Sequence, residues 1–282
     1  MKVMNETLRQ RLQEAIENLE PLFGREHAVT PYFWETAEKG TFTLASLLLE
    51  NQVEDYPSLT PISYDAYLQR VQSRELFNDP KVGEWRELAQ ILATYLDELQ
   101  IYLVYYFDEC FYVYLGKTEE VWFGLCEPYP DLKPFQTFSD NATSEGSLNR
   151  VSPGTSSPRP QLVEVLENHD FSLTRGLGET YESYIWETAE TQSSLLETIL
   201  TSARFLTTVE FTSFARLMEM VLVDSSEIPD MNQLVQCLKE ETSNQKAYVI
   251  GSYSNTTFQI YVLGNAQDND WAGVRLEVHT VS

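Results

Sequence analysis

The pentapeptide Trp34-Glu35-Thr36-Ala37-Glu38 returns as Trp186-Glu187-Thr188-Ala189-Glu190, and the reading of that recurrence decides how the chain divides. Trp is a rare residue, so a five-residue match that contains it seldom arises by chance. Four further landmarks recur in the same order. Leu12–Asn18 (LQEAIEN) answers Leu162–Asn168 (LVEVLEN), and Ser63–Val71 (SYDAYLQRV) answers Glu210–Met218 (EFTSFARLM). Tyr112–Gly116 (YVYLG) answers Ile260–Gly264 (IYVLG), and Trp122–Leu125 (WFGL) answers Trp271–Val274 (WAGV). The offset stays near about 150 positions with small slips, as insertions confined to loops produce. The expectation is a tandem pair of related domains, residues 1–132 and 160–282, each of ordinary domain size.

Residues 133–159 form the expected linker. From Thr137 to Pro160, Ser, Thr, Gly, Pro and Asn make up about two thirds of the positions, and such a composition cannot bury a core. In the first half, Leu8, Leu12, Ala15, Ile16 and Leu19 share one helical face before Pro21 ends the helix. Pro31 to Thr36 reads as a strand carrying the Trp, GTFTLASLLLENQ as helix or strand, and ISYDAYLQRV as a short helix. A long helix follows Asp79-Pro80 through Trp85, Leu88 and Leu92. The segments IYLVYYF, CFYVYLG and VWFGLCE then predict a three-stranded antiparallel meander. The second half predicts a shorter first helix, a late helix around Met231, Leu234, Val235 and Leu238, and strands AYVIGSY, TFQIYVLG and DWAGVRLEV. Helices before and between the strands of a meander predict an α+β fold in each half, with helices packed on an antiparallel sheet.

At 282 residues, with 43% apolar and 12% aromatic content, the chain has enough material for packed cores. Charge is the outlier: 43 acidic against 19 basic residues, a net of −24. Divided after Phe135, each part carries −12, so the acidity belongs to both halves. Such a field repels nucleic acid and anionic membrane and attracts basic proteins. The longest apolar runs fall far short of a membrane span, and the amino-terminal residues form an amphipathic helix without a secretory apolar core. Cys110, Cys126 and Cys237 follow neither a disulfide nor a zinc pattern, so a reducing cytoplasm is the expected setting.

Catalytic chemistry is sparse. His27, His169 and His279 lack metal-ligand spacing, and no nucleophile elbow or phosphate-cradling glycine loop is present, so no cofactor or metal is expected. Glu35 and Glu38, with Glu187 and Glu190, are the one paired-carboxylate arrangement that would suit acid–base hydrolysis. A non-catalytic interaction protein is the primary expectation, with a two-domain adaptor or chaperone for a basic protein as its alternative. A carboxylate hydrolase is the third reading.

The same landmarks carry a resemblance. A strand closing on Trp-Glu comes first, then the helix Asp65-Ala66-Tyr67-Leu68-Gln69-Arg70 and a long helix. The terminal AYVIGSYSNTTFQIYVLGNAQDNDWAGVRLEVHTVS follows, with Gly264 and Ala272-Gly273-Val274. Together these resemble the nuclease A inhibitor family of cyanobacteria. The resemblance implies acidic α/β/α sandwich domains, here two in tandem, that plug the active site of a sugar-nonspecific, metal-dependent nuclease, with carboxylates standing where phosphates would. It places partner contacts at Glu26, ahead of the Trp strand, and at Glu75 and Asp79, ahead of the long helix. It places further contacts at Thr280 and Ser282, whose oxygens suit a hard metal. The implied partner is a basic or metal-dependent nuclease, with no direct binding of nucleic acid and no membrane.

Overall fold

A computed structural model describes residues 6–17, 28–50, 57–75, 82–106, 109–118, 121–127, 160–175, 183–211, 228–251 and 257–279. The fold is α+β, and the chain divides into two compact units. Unit 1 takes Met1–Thr43, Lys133–Asn149 and Leu206–Ser282, while unit 2 takes Leu44–Leu132 and Arg150–Phe205. Neither unit is a contiguous half. The chain passes between them at Thr43/Leu44, Leu132/Lys133, Asn149/Arg150 and Phe205/Leu206, and each unit draws on both halves of the sequence.

Unit 1 is built on a five-stranded sheet of order β1-β11-β10-β9-β8, with β1 Ala28–Trp34, β8 Leu206–Glu210, β9 Ser243–Ile250, β10 Thr257–Asn265 and β11 Trp271–His279. All its pairings are antiparallel. Helix α1, Glu6–Glu17, buries Leu8, Leu12, Ala15 and Ile16, the face that the leucine spacing predicts. It lies beside the late helix Ile228–Glu241, called α8 in chain order, whose Leu234 and Leu238 are fully buried. Together they cover Val29, Val249, Ile260, Val262, Val274 and Leu276 from the sheet, and Phe33 packs against the same core. A single turn, α2 (Thr36–Lys39), follows β1.

Unit 2 is built on a six-stranded sheet of order β2-β3-β4-β5-β7-β6. Its strands are β2 Ser58–Ile62, β3 Asp97–Tyr106, β4 Glu109–Lys117, β5 Trp122–Cys126, β6 Leu173–Arg175 and β7 Tyr184–Ala189. The pairings are antiparallel except β6 with β7, which is parallel. Helices α4 (Tyr64–Glu75), α5 (Val82–Tyr95) and α6 (Pro160–Asn168) cover one face through Tyr67, Trp85, Leu88, Leu92, Leu162 and Leu166. The apolar segment left open between helix and strand is helix α3, Leu44–Glu50. It packs with α7, Gln192–Ser202, which lies over β7, β5 and β4. The hydroxyl of Thr191 caps α7 by accepting the Ser194 amide at 3.2 Å.

The two meanders share a local device. At the turn from helix to first strand, Glu98 and Asn244 take left-handed backbone angles (φ 52° and 51°), and a register shift follows in each strand pair. The glycine at the corresponding place on the middle strand makes room for the helix end. A Cβ at Gly116 would sit 2.6 Å from Leu96 Cβ, and one at Gly264 would sit 2.2 Å from Thr242 Oγ1.

The repeated pentapeptide folds in two ways. In the first occurrence Trp34 ends β1 and Thr36–Lys39 turns into helix, stopped by Gly40 at φ 78°. In the second, the strand runs on through Ala189, which pairs with Trp122. Registers differ as well: Trp34 lies opposite Trp271, but Trp186 lies opposite Leu125. WAGV and WFGL correspond, so the pairing has slipped by three residues, and an odd slip sends each side chain to the other face. Phe33 accordingly turns toward the helices of unit 1 while Trp34 stacks edge-on with Phe42. In unit 2 it is Tyr184 and Trp186 that meet the helical core.

Candidate partner-binding surface

Four of the five expected contact residues, Glu26, Asp79, Thr280 and Ser282, lie outside the described residues. Glu75 is the last residue of α4. The division of the chain nevertheless sorts them: Glu26, Thr280 and Ser282 belong to unit 1, and Glu75 and Asp79 to unit 2. Within unit 1 the register of β1 on β11 sets Ala28, two residues after Glu26, opposite Glu277, three residues before Thr280.

Acid predominates in both units: unit 1 has 19 acidic and 10 basic residues, and unit 2 has 24 and 9. Several of the cations are already engaged by carboxylates. In unit 1, Arg9 pairs with Glu35, Arg11 with Glu240 at 2.6 Å and with Glu241, and Arg275 with Glu277 at 2.9 Å. The Arg11 hydrogen bond holds the Glu240 carboxyl below its usual range. In unit 2, His169 Nδ1 lies 2.7 Å from Glu87 Oε1.

The repeated carboxylates do not form two equivalent pairs. Glu35 is held by Arg9 at the surface of α1, and Glu38 is exposed. Glu187 is only 3% exposed; its Oε1 accepts the Ser202 hydroxyl at 2.6 Å, and its Oε2 has no hydrogen-bond partner among the described residues. Burial pushes its carboxyl up, against the opposing pull of Ser202 and Arg175. The thiols of Cys126 and Cys237 are also pushed up by burial, which disfavours the reactive thiolate. Both Trp residues of the pentapeptide are packed. Trp34 donates its indole N–H to the Gly40 carbonyl at 2.8 Å with Lys39 over its ring, and Trp186 lies on Phe123 with Arg175 above it.

One buried polar network had no signal in the sequence. Glu127, just past β5, accepts the Tyr112 amide at 3.0 Å and the Tyr114 hydroxyl at 3.2 Å. The Tyr114 hydroxyl in turn lies 3.0 Å from that of Tyr67, which donates to the Trp85 carbonyl. Burial raises both phenols, so they remain neutral hydrogen-bonding groups. The spacing of these five residues along the chain follows no motif; only the fold gathers them. Among the described residues, no group of three or more His, Cys, Asp or Glu is arranged to hold a metal ion. No helix among them is long and apolar enough to cross a membrane.

Residues 178–279 match a family model described as nuclease A inhibitor-like protein (NuiA). That stretch is similar to a protein inhibitor. It runs from just before β7 to the end of β11 and therefore spans the crossing at Phe205/Leu206. No curated protein matches the chain.

Proposed function

We propose that this chain is a non-catalytic inhibitor of a sugar-nonspecific, metal-dependent nuclease, acting by presenting carboxylates and hydroxyls to a basic, metal-bearing cleft. The observation that carries the reading is the match of residues 178–279 to the inhibitor-like family model. The strongly acidic composition supports it, since such a surface is attracted to a cleft shaped for phosphates. So does the β1–β11 register, in which Ala28, two residues after Glu26 in the sequence, lies opposite Glu277, three residues before Thr280. The sequence landmarks and the paired glycine–bulge devices support descent from two tandem copies. Unit 1 is then the primary inhibitory unit, and Glu75 and Asp79 provide a second acidic face on unit 2.

The test is titration of the purified chain against a Mg²⁺- or Mn²⁺-dependent nonspecific nuclease. Glu26→Gln and removal of Thr280–Ser282 should each weaken inhibition by about tenfold or more, the scale of truncating one member of a buried charged contact. Undiminished inhibition by the truncated chain would rule out the plug. The presence of two acidic units favours one further reading, an adaptor bridging two copies of a basic partner through linked modules. Recovery of a non-nuclease assembly with the native chain would favour it.

A further inference from the structure

We propose that the inhibitor-like unit is composite: α1 and residues 28–43 dock onto the second-half meander as its closing helix and strand, and an ionic code at Arg11 selects them for that seat. The word inhibitor-like rests on the functional reading above; the docking does not.

The family-matching stretch opens with β7, yet β7 pairs with β5 in unit 2, and the edge of β11 is taken by β1 along seven residues, Ala28 opposite Glu277 through Trp34 opposite Trp271. Several contacts of different kinds hold the docked segment. Val29 and Phe33 enter the core, and Phe42 stacks on Trp271 at 4.5 Å. The Thr36 amide donates to Asp270 Oδ1 at 2.7 Å, and the Thr36 hydroxyl donates to the Asn269 carbonyl at 2.8 Å. Arg11 on α1 clasps Glu240 and Glu241 at the end of α8.

The clasp distinguishes the two seats. Buried Leu12 and Ile16 of α1 correspond to Leu162 and Leu166 of α6, which puts Gln161 in the place of Arg11. Buried Leu88 and Leu92 of α5 correspond to Leu234 and Leu238 of α8, which puts Thr94 and Tyr95 in the places of Glu240 and Glu241. In the unexchanged arrangement Arg11 would face Thr94 and Tyr95, and the two glutamates would face a neutral Gln161. Charge therefore favours α1 on α8 and α6 on α5, a discrimination between near-identical helices by what the wrong pairing leaves unmatched. The three-residue register slip works in the same direction. The β11 seat receives Phe33 opposite Ala272 and Pro31 opposite Val274, whereas β7 presents Tyr184 and Trp186 to its own core.

The full-length chain tests this without any nuclease. On a C110S/C237S background, T30C with R275C joins positions that pair in the register, whereas T30C with the native Cys126 joins those that would pair if β1 kept this same register on β5 instead. The expected result is an intrachain disulfide in the T30C/R275C chain and free thiols in the T30C chain. A link from position 30 to Cys126, or a disulfide-linked dimer, would overturn the proposal. Amide exchange gives a second readout that does not depend on the cysteines. R11E should speed exchange of residues 28–34 and 271–279 together by about tenfold, by placing like charges in contact, and E240R/E241R should restore it. Residues 28–34 loosening in step with 122–126 instead would overturn it. Because neither measurement involves inhibition, a failure here is distinct from a failure of the functional reading.

Discussion

Glu35 and Glu187 hold the same place in the repeated pentapeptide and live in opposite circumstances: the first is held by an arginine near solvent, the second buried against a serine with one oxygen unpartnered among the described residues. A carboxyl whose folded pKa is raised binds its proton more tightly in the folded chain than in the unfolded one. Stability therefore falls as pH rises from the unfolded value toward the raised one, and above both the buried charge is a standing penalty. Glu187→Gln removes the charge and keeps an acceptor for Ser202. We expect thermal unfolding at pH 8 to show the variant more stable than the wild type, with the gap closing as pH is lowered toward 4. A constant gap across that range would mean that the carboxylate is not the source. The identity of the pentapeptide was plain in the sequence, but this difference was not. It depends on Arg9 and Ser202, which lie 26 and 15 residues away.

Among the elements, the meanders were the most legible, because aromatic and β-branched runs bounded by turn residues leave few alternatives. Helices α1, α5 and α8 were legible from apolar spacing. Strands β2, β6 and β8 were not. They are edge strands of five, three and five residues, one interrupted by Pro61 and another reading Leu-Thr-Thr-Val-Glu, with no apolar alternation for a pattern to catch. The faces of β1 and β7 were equally hidden, since a near-identical strand serves either register. Close approach of strands makes a sharper prediction. A Cβ at Gly273 would lie 1.8 Å from the Val262 carbonyl oxygen, a backbone atom that no rotamer change can move. The bare position also lets Tyr32 on β1 meet Tyr261 on β10 edge-on at 5.2 Å across β11. Gly273→Ala should cost about 3 kcal/mol in denaturant unfolding, the upper range for overpacking. Gly83→Ala, where the added Cβ meets nothing within 4 Å in the first turn of α5, should change stability by no more than about 0.5 kcal/mol. Equal effects at the two glycines would refute the packing argument.

At the scale of the whole molecule, composition spoke for charge, but neither it nor the repeat could say which segments make each unit. Local pattern is the same whether β1 joins β5 or β11, and the choice rests on a few side chains such as Arg11 and Thr36. Net charge bears directly on association. If a basic cleft is the partner, raising salt from 50 to 500 mM should slow binding markedly and leave dissociation much less affected, because long-range steering is what ions screen. Stopped-flow mixing at the two salt concentrations measures this, and salt-independent association would argue for an apolar contact instead. The pairing of β1 with β11 also imposes a schedule on synthesis. Residues 28–34 leave the ribosome early, but the strand they require, 271–279, is not made until some 240 residues later. At about 5–20 residues per second that is a wait on the order of 10–50 s, during which an amphipathic helix and an aromatic strand have no seat in their own unit. Unit 2 can close once Phe205 has emerged; unit 1 must close after translation has passed its last strand. Nascent chains halted between residues 211 and 270 should therefore be sticky, and a holdase that covers TPYFW is the companion such a biosynthesis calls for.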